Sequence, residues 1–331
     1  MYCQYQKKRV LTFLTMDFAV GIDIGGQTSK LGVVDRDGNV LNGTVIRSDT
    51  YGTDSNAFIS ALADAVKKCI ADAGVSGKVC GIGVGAPNGN YYTGQISNAP
   101  NLAWAAGQTV PIAGELSARL GGLPVTLTND ANAAAVGEMT YGVARGMRDF
   151  IMITLGTGVG SGIVIDGNVV YGHDGFAGEL GHVNVVHHGG RLCGCGQHGC
   201  LETYCSATGV ARTARERLAA SMAPSLLRDV KDVTSKDVYE AARQGDRLAI
   251  DIFKYTGTVL GRALAGFVEF SAPEAIVLFG GLARAREFIY EPVVKSLNRY
   301  VMPVWKDKVK VLFSSLKESD AAILGASALA W

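Results

Sequence analysis

The chain has 331 residues, long for one compact core, so two domains are expected. Hydrophobic residues make up 48% and charged residues 18%, which describes a globular protein with a large interior. A balance of 31 basic and 30 acidic side chains leaves a net charge of +1, and nothing in that balance suggests nucleic acid or an anionic membrane as the main partner.

The first fifteen residues, MYCQYQKKRVLTFLT, carry basic side chains and a broken apolar run with no small-residue cleavage site. They read as a loose extension, not as a secretory signal. No stretch approaches the roughly 18 apolar residues of a membrane span. The 7 cysteines are therefore expected in the reducing cytoplasm, as thiols or metal ligands.

FAVGIDI, KLGVVD and NVLNGTVI predict three strands over 18–47, with Asp37-Gly38 as a hairpin turn. A helix from about Asp54 puts Phe58, Leu62, Ala65, Val66, Cys69 and Ile70 on one face. The buried strand VCGIGVG, a helix near 112–120 and the strand PVTLTND follow. An alanine-rich helix then spans Ala131 to Met139. FIMITLG, GSGIVID and NVVYG restart the pattern, with Asp166-Gly167 as the turn. Helices over about 207–270, broken near 230 by a polar stretch, lead to the strands AIVLFGG and VKVLF and a last helix at 320–330. Two similar glycine-rich openings, near 21 and 155, imply two α/β halves with a nucleotide-sized cleft between them.

The 43 glycines cluster beside apolar segments, where they permit tight turns and close backbone approach to a ligand. In GIDIGGQTSK, Asp23 ends a strand and Gly25-Gly26 form the turn. The turn amides could cradle phosphate while Asp23 holds a hydrated Mg²⁺, although a plain hairpin would look the same. LGTGVGSG supplies Gly156, Thr157 and Gly158 at the matching place in the second half. FGGLARA sets Gly280 and Gly281 between a buried strand and a helix start, a seat for a flat ring or simply a tight turn. In TNDANAAA, Asp130 can cap the alanine helix, act in the cleft, or do both. SNAPNLAW offers amide side chains and Trp104 to sugar hydroxyls and an apolar sugar face; a loop pinned by Pro100 and Trp104 is the alternative.

His182, Cys193, Cys195 and Cys200 make a Cys₃His set suited to tetrahedral Zn²⁺, with no position left for catalytic water. Free thiols, with Cys205 as a redox partner, are the other reading. Glu179 and Glu202 flank this loop. If one His182 nitrogen is on the metal, the other is free to meet a hydroxylated substrate.

In these motifs and their order, from about residue 18 onward, the chain resembles the ROK family of sugar kinases and repressors, within the actin-like ATPase (hexokinase) superfamily. GELGH followed by CGCGQHGCLE is similar to the family's zinc signature. DIGG, LGTGVGSG and FGG resemble its two phosphate motifs and its adenosine motif. The resemblance implies a two-domain actin-like (ribonuclease H-like) α/β fold with an interdomain cleft. Residues 17–128 would form the N-terminal domain and 129–317 the C-terminal domain with zinc loop 182–200. The last helix, 318–331, would return to the first domain. It also implies Asp130 as catalytic base, and Asn101, Asn129, Glu179, His182 and Glu202 as sugar ligands. Phosphate and nucleotide contacts would come from Asp23, Gly25, Gly26, Gln27, Thr28, Gly156, Thr157, Gly158, Gly280 and Gly281. Gln27 departs from the family's usual threonine. The expected activity is phosphoryl transfer from MgATP to the 6-hydroxyl of glucose by a cytoplasmic homodimer or homotetramer with structural zinc. An N-acetylhexosamine kinase is the alternative. A sugar-responsive regulator would need a DNA-binding module, for which the segment before the first strand is too short.

Overall fold

In the computed structural model the described residues are 16–331, so the expected N-terminal extension lies outside them. Apolar β-branched runs give β1 (Phe18–Ile24) and β2 (Thr28–Asp35), with the more exposed β3 (Val40–Arg47) beside them. Asp54 caps α1 (Ser55–Asp72) through the Ala57 amide at 2.9 Å, and the helix buries Phe58, Leu62, Val66, Cys69 and Ile70. There follow β4 (Val79–Gly85), the short strands β5 (Gly89–Asn90), β6 (Gln95–Ser97) and β7 (Thr109–Val110), then α2 (Ile112–Arg119) and β8 (Val125–Thr128). The second half comprises α3 (Asp130–Tyr141), β9 (Phe150–Leu155), β10 (Val159–Ile165), β11 (Asn168–Val169) and α4 (Glu202–Cys205). It continues through α5 (Ala207–Ala220), α6 (Ser235–Arg243), α7 (Arg247–Ser271), β12 (Ala275–Phe279), α8 (Arg286–Tyr300) and β13 (Lys310–Phe313) to α9 (Glu318–Ser327). Among the described residues no helix is long and apolar enough to cross a membrane.

The two five-stranded sheets have the same topology. Their orders are β3-β2-β1-β4-β8 and β11-β10-β9-β12-β13, each an antiparallel trio followed by two parallel strands. The small β5-β6-β7 sheet was not anticipated, because strands of two or three residues carry no readable period.

What joins the halves is an exchange of helices seated on glycine. Gly43, Gly32, Gly21 and Gly83 stand in register across β3, β2, β1 and β4. Helix α9 lies along that row so closely that a Cβ on Gly21 would be 1.9 Å from the Ile323 carbonyl oxygen. One on Gly83 would be 1.8 Å from that of Ala326. Helix α3 sits likewise on β10, where a Cβ on Gly162 would be 2.8 Å from that of Ala135. Thus α3 follows the first sheet but lies on the second, and α9 follows the second sheet but lies on the first. The two helices cross where a Cβ on Gly137 would be 2.7 Å from the Gly325 Cα.

A second contact between the halves lies in their loops. Tyr91 stacks on Tyr171 with ring centroids 4.0 Å apart, and Asn90 Nδ2 donates to the Asp174 carbonyl at 2.6 Å.

Gly21→Ala should lower unfolding free energy in urea by about 1–3 kcal/mol or more, because backbone on both sides of the new methyl must move. Gly114→Ala, inside α2 with nothing within 4 Å of its Cβ, should raise it by about 0.5–1 kcal/mol. Equal effects at the two sites would refute the seating argument.

Candidate active site

Strand β8 ends at Thr128 and α3 starts two residues later, so the Asn129-Asp130 pair stands where the chain passes from one sheet to the other. Asp130 is not the N-cap. Asn129 has the extended backbone of a cap, and its Oδ1 accepts from the amides of Ala131 at 2.7 Å and Asn132 at 3.4 Å. Asp130 is the first helical residue, with one carboxylate oxygen on the Ala131 amide at 2.9 Å. Its side chain opens into a cavity of about 520 Å³ between the two sheets.

Asp23, Asn101, Asn129, Glu179, His182 and Glu202 line the same cavity, with Gly156, Thr157, Gly158 and Gly280. Gly25, Gly26, Gln27, Thr28 and Gly281 do not line it. The Gly25 amide closes its own turn on the Thr28 carbonyl at 3.0 Å, and Gly26 backs onto Asn101, where a Cβ would lie 2.5 Å from the carbonyl oxygen. Gly280 has φ +102°, and a Cβ there would meet the Leu155 carbonyl at 2.7 Å, so glycine is required where β12 leaves the sheet.

Burial and mutual charge set the electrostatics. Asp23 is pushed up to about 6, first by burial and next by the nearby Asp130, with Lys30 opposing. Asp130 is wetted by the cavity yet enclosed by protein, and that desolvation raises its carboxyl against the lowering effect of the Ala131 amide. Burial likewise raises Glu179; His182 opposes, and the charges of Asp130 and Glu202 add to the rise. Such a crowd of carboxylates favours a divalent cation or a proton donor among them.

Beside the cavity, the ligand atoms of His182, Cys193, Cys195 and Cys200 all lie within 4.8 Å of one another. Cys195 Sγ and Cys200 Sγ are 3.7 Å apart, far beyond the roughly 2.05 Å of a disulfide. That spacing is close to the edge, about 3.8 Å, of a tetrahedron with 2.3 Å zinc–sulfur arms, so the donors fit Zn²⁺ in number, type and spacing. His182 turns Nδ1 toward Cys193 Sγ at 3.6 Å and Nε2 toward Glu179 at 4.0 Å. Its ring therefore joins the cysteine cluster to the cavity. Cys205 is no redox partner to this cluster: it is buried in the second core and donates to the Thr256 carbonyl at 3.6 Å.

Glu202 is held at both oxygens. Oε2 accepts from the Val159 amide at 3.0 Å, and Oε1 faces the Cys193 thiol at 3.7 Å. Behind the Gly156–Gly158 turn, the Ala207 amide donates to the Gly156 carbonyl at 2.8 Å and the Thr208 hydroxyl to the Thr157 carbonyl at 2.9 Å.

Trp104 is not a sugar platform. It is fully buried in the first core, stacked on Phe58 at 4.2 Å and 16°, and it pins the loop that presents Asn101. The sequence reading missed Asn88, which lines the cavity at φ +54° with Nδ2 on the carbonyls of Ser97 and Asn98 at 3.1 and 3.0 Å. Its signal was available: the turn dipeptide Asn88-Gly89 follows closely on the buried parallel strand β4, and ligands gather beyond such strand ends.

Comparison with known proteins agrees with this geometry. The chain is 36% identical to the glucokinase of Halalkalibacterium halodurans over 312 residues, 92% of each chain. It is also 36% identical to the glucokinase of Thermotoga maritima, across 94% of this chain and 96% of that one. The crystal structure of a ROK family glucokinase from Streptomyces griseus, in complex with glucose and AMPPNP, superposes with a TM-score of 0.77 at 34% identity. That superposition covers 94% of this chain and 98% of the other. The ROK family model matches residues 19–331. A doubled sheet, a helix exchange and a carboxylate-lined cavity beside a Cys₃His cluster are thus the two-domain α/β fold of a protein that belongs to the ROK family.

Proposed function

We propose that this protein is an ATP-dependent glucokinase that transfers the γ-phosphoryl group to the 6-hydroxyl of glucose. The observation that carries the reading is the placement of Asp130, in one cavity with the Gly156–Gly158 turn and the Glu179–His182 pair. The similarity to glucokinases supports glucose as the acceptor.

In this mechanism Asn101, Glu179, the free face of His182, Glu202 and the Asn129 amide nitrogen bind sugar hydroxyls. Because Asn129 Oδ1 is committed to capping, only its NH₂ group is available to the sugar. Asp130 takes the proton of the attacking hydroxyl, and its raised pKa makes it a stronger acceptor than an exposed aspartate. The Thr157 and Gly158 amides hold phosphate, the Gly156 amide being closed on the Gly158 carbonyl at 3.0 Å, and the Gly280 turn receives the adenosine. Asp23 is the residue that would hold Mg²⁺, which supplies charge neutralisation on the phosphates. The Cys₃His donors would hold a structural Zn²⁺ that fixes the loop between Glu179 and Glu202.

A coupled assay of ADP release should show the largest kcat/KM for glucose among glucose, mannose, fructose, N-acetylglucosamine and N-acetylmannosamine. Preference for an acetylated sugar would replace the acceptor in this reading.

Asp130→Asn should cut kcat at least about 100-fold, since a positioned base is typically worth 10²–10⁴. Its stability follows from linkage. A carboxyl whose folded pKa is raised contributes stability below its unfolded pKa and loses it as pH rises through the folded value, so at pH 7 it opposes folding. The variant should therefore melt no lower than wild type. Asn129→Ala, by contrast, removes the cap and should cost about 1 kcal/mol. A variant of Asp130 keeping more than a tenth of wild-type kcat would remove it as the base.

Metal analysis should find one zinc per chain, and Cys195→Ser should lose it and raise the KM for glucose. Metal-free protein with normal kinetics would rule this out.

A further inference from the structure

Outside the cavity, one buried cation is bonded to the segment that carries contacts to both ends of the reaction. Arg191 opens the cysteine loop and is only 8% exposed. Its guanidinium donates to the carbonyls of Thr203 at 2.7 Å and Gly209 at 3.3 Å, to the Thr213 hydroxyl at 2.9 Å, and to the Glu216 carboxylate. It also lies 4.5 Å over the Tyr204 ring. Its main-chain amide joins the same segment by donating to the Tyr204 hydroxyl at 3.0 Å, while its carbonyl accepts from Gly199 of the cysteine loop at 2.8 Å. Arg191 therefore grips α4 and the start of α5. On the other side that stretch meets the site, through Glu202 on the Val159 amide, Ala207 on the Gly156 carbonyl and Thr208 on the Thr157 carbonyl.

We propose that Arg191 is a positioning residue for phosphoryl transfer, locking residues 202–209 into one body that holds Glu202 and the phosphate turn in fixed relation. This rests on the glucokinase reading above. The guanidinium suits the task because its planar fork reaches four acceptors in different directions, whereas a lysine has three donors on one atom. Removing the cation strands no buried counter-charge, since Glu216 is half exposed and is also paired with Arg212 at 2.9 Å. Arg191→Met keeps an apolar stem over Tyr204 while deleting the fork.

The test is steady-state kinetics with glucose and ATP on wild type, Arg191→Met and Arg191→Lys, alongside zinc content and Tm. Misplacement by about 1 Å can cost on the order of 100-fold, so in Arg191→Met the KM values for glucose and for ATP should both rise at least about tenfold. Arg191→Lys should recover part of each. A lowered Tm with unchanged KM values would reduce Arg191 to a stability role and overturn the proposal; so would a rise confined to one substrate. Should Arg191→Met not accumulate in soluble form, Thr213→Val must move both KM values in the same direction, and no movement again overturns it. A wild-type protein inactive on every hexose would sink the glucokinase reading and this proposal with it. An active wild type with an indifferent Arg191→Met would sink this proposal alone.

Discussion

The close approach of α9 to the first sheet is the contact on which the rest of the molecule depends. A helix can lie directly on strand backbone only where side chains are missing, and the register supplies four glycines in one row at that place. Because α9 also crosses α3 at Gly137 and Gly325, the row and the β10 glycine Gly162 together fix where α3 lies between the two sheets. The first residue of α3 is Asp130. The location of the proposed base is thus set by glycines that never touch a substrate.

The segment from Cys200 to Gly209 does on one side of the cavity what the helix exchange does at its floor. Within ten residues it carries a thiol of the cysteine cluster, a carboxylate on the cavity wall and two bonds to the glycine turn. Groups with different chemical tasks share one short rigid piece of chain. A displacement of that piece would be felt by sugar and phosphate together.

Much of this was legible in the sequence, where a period was long enough to read. The paired strand trios, the amphipathic face of α1 and the spacing of the Cys₃His set are local signals, and each is present. What could not be read depended on choices made in three dimensions. Asn129 and Asp130 are equally good caps by residue type, and only the backbone angles assign the role to Asn129. Trp104 looked like a sugar platform because it sits among amides, but its ring turns inward onto Phe58, forty-six residues earlier in the chain. The glycine row is invisible before cross-strand register is known, and Arg191 has no neighbour in sequence that hints at its partners near 203–216.

The tyrosine stack has a kinematic consequence. Two bodies touching at a single point can rotate about any axis through it, but two bodies pinned at two separated points keep only the axis joining them. Here one pin is the Gly137–Gly325 crossing and the other is the Tyr91–Tyr171 stack with its Asn90–Asp174 bond. While both hold, twisting and sliding of one half over the other are blocked. Any change in the width of the opening must therefore turn about these two places or break one of them.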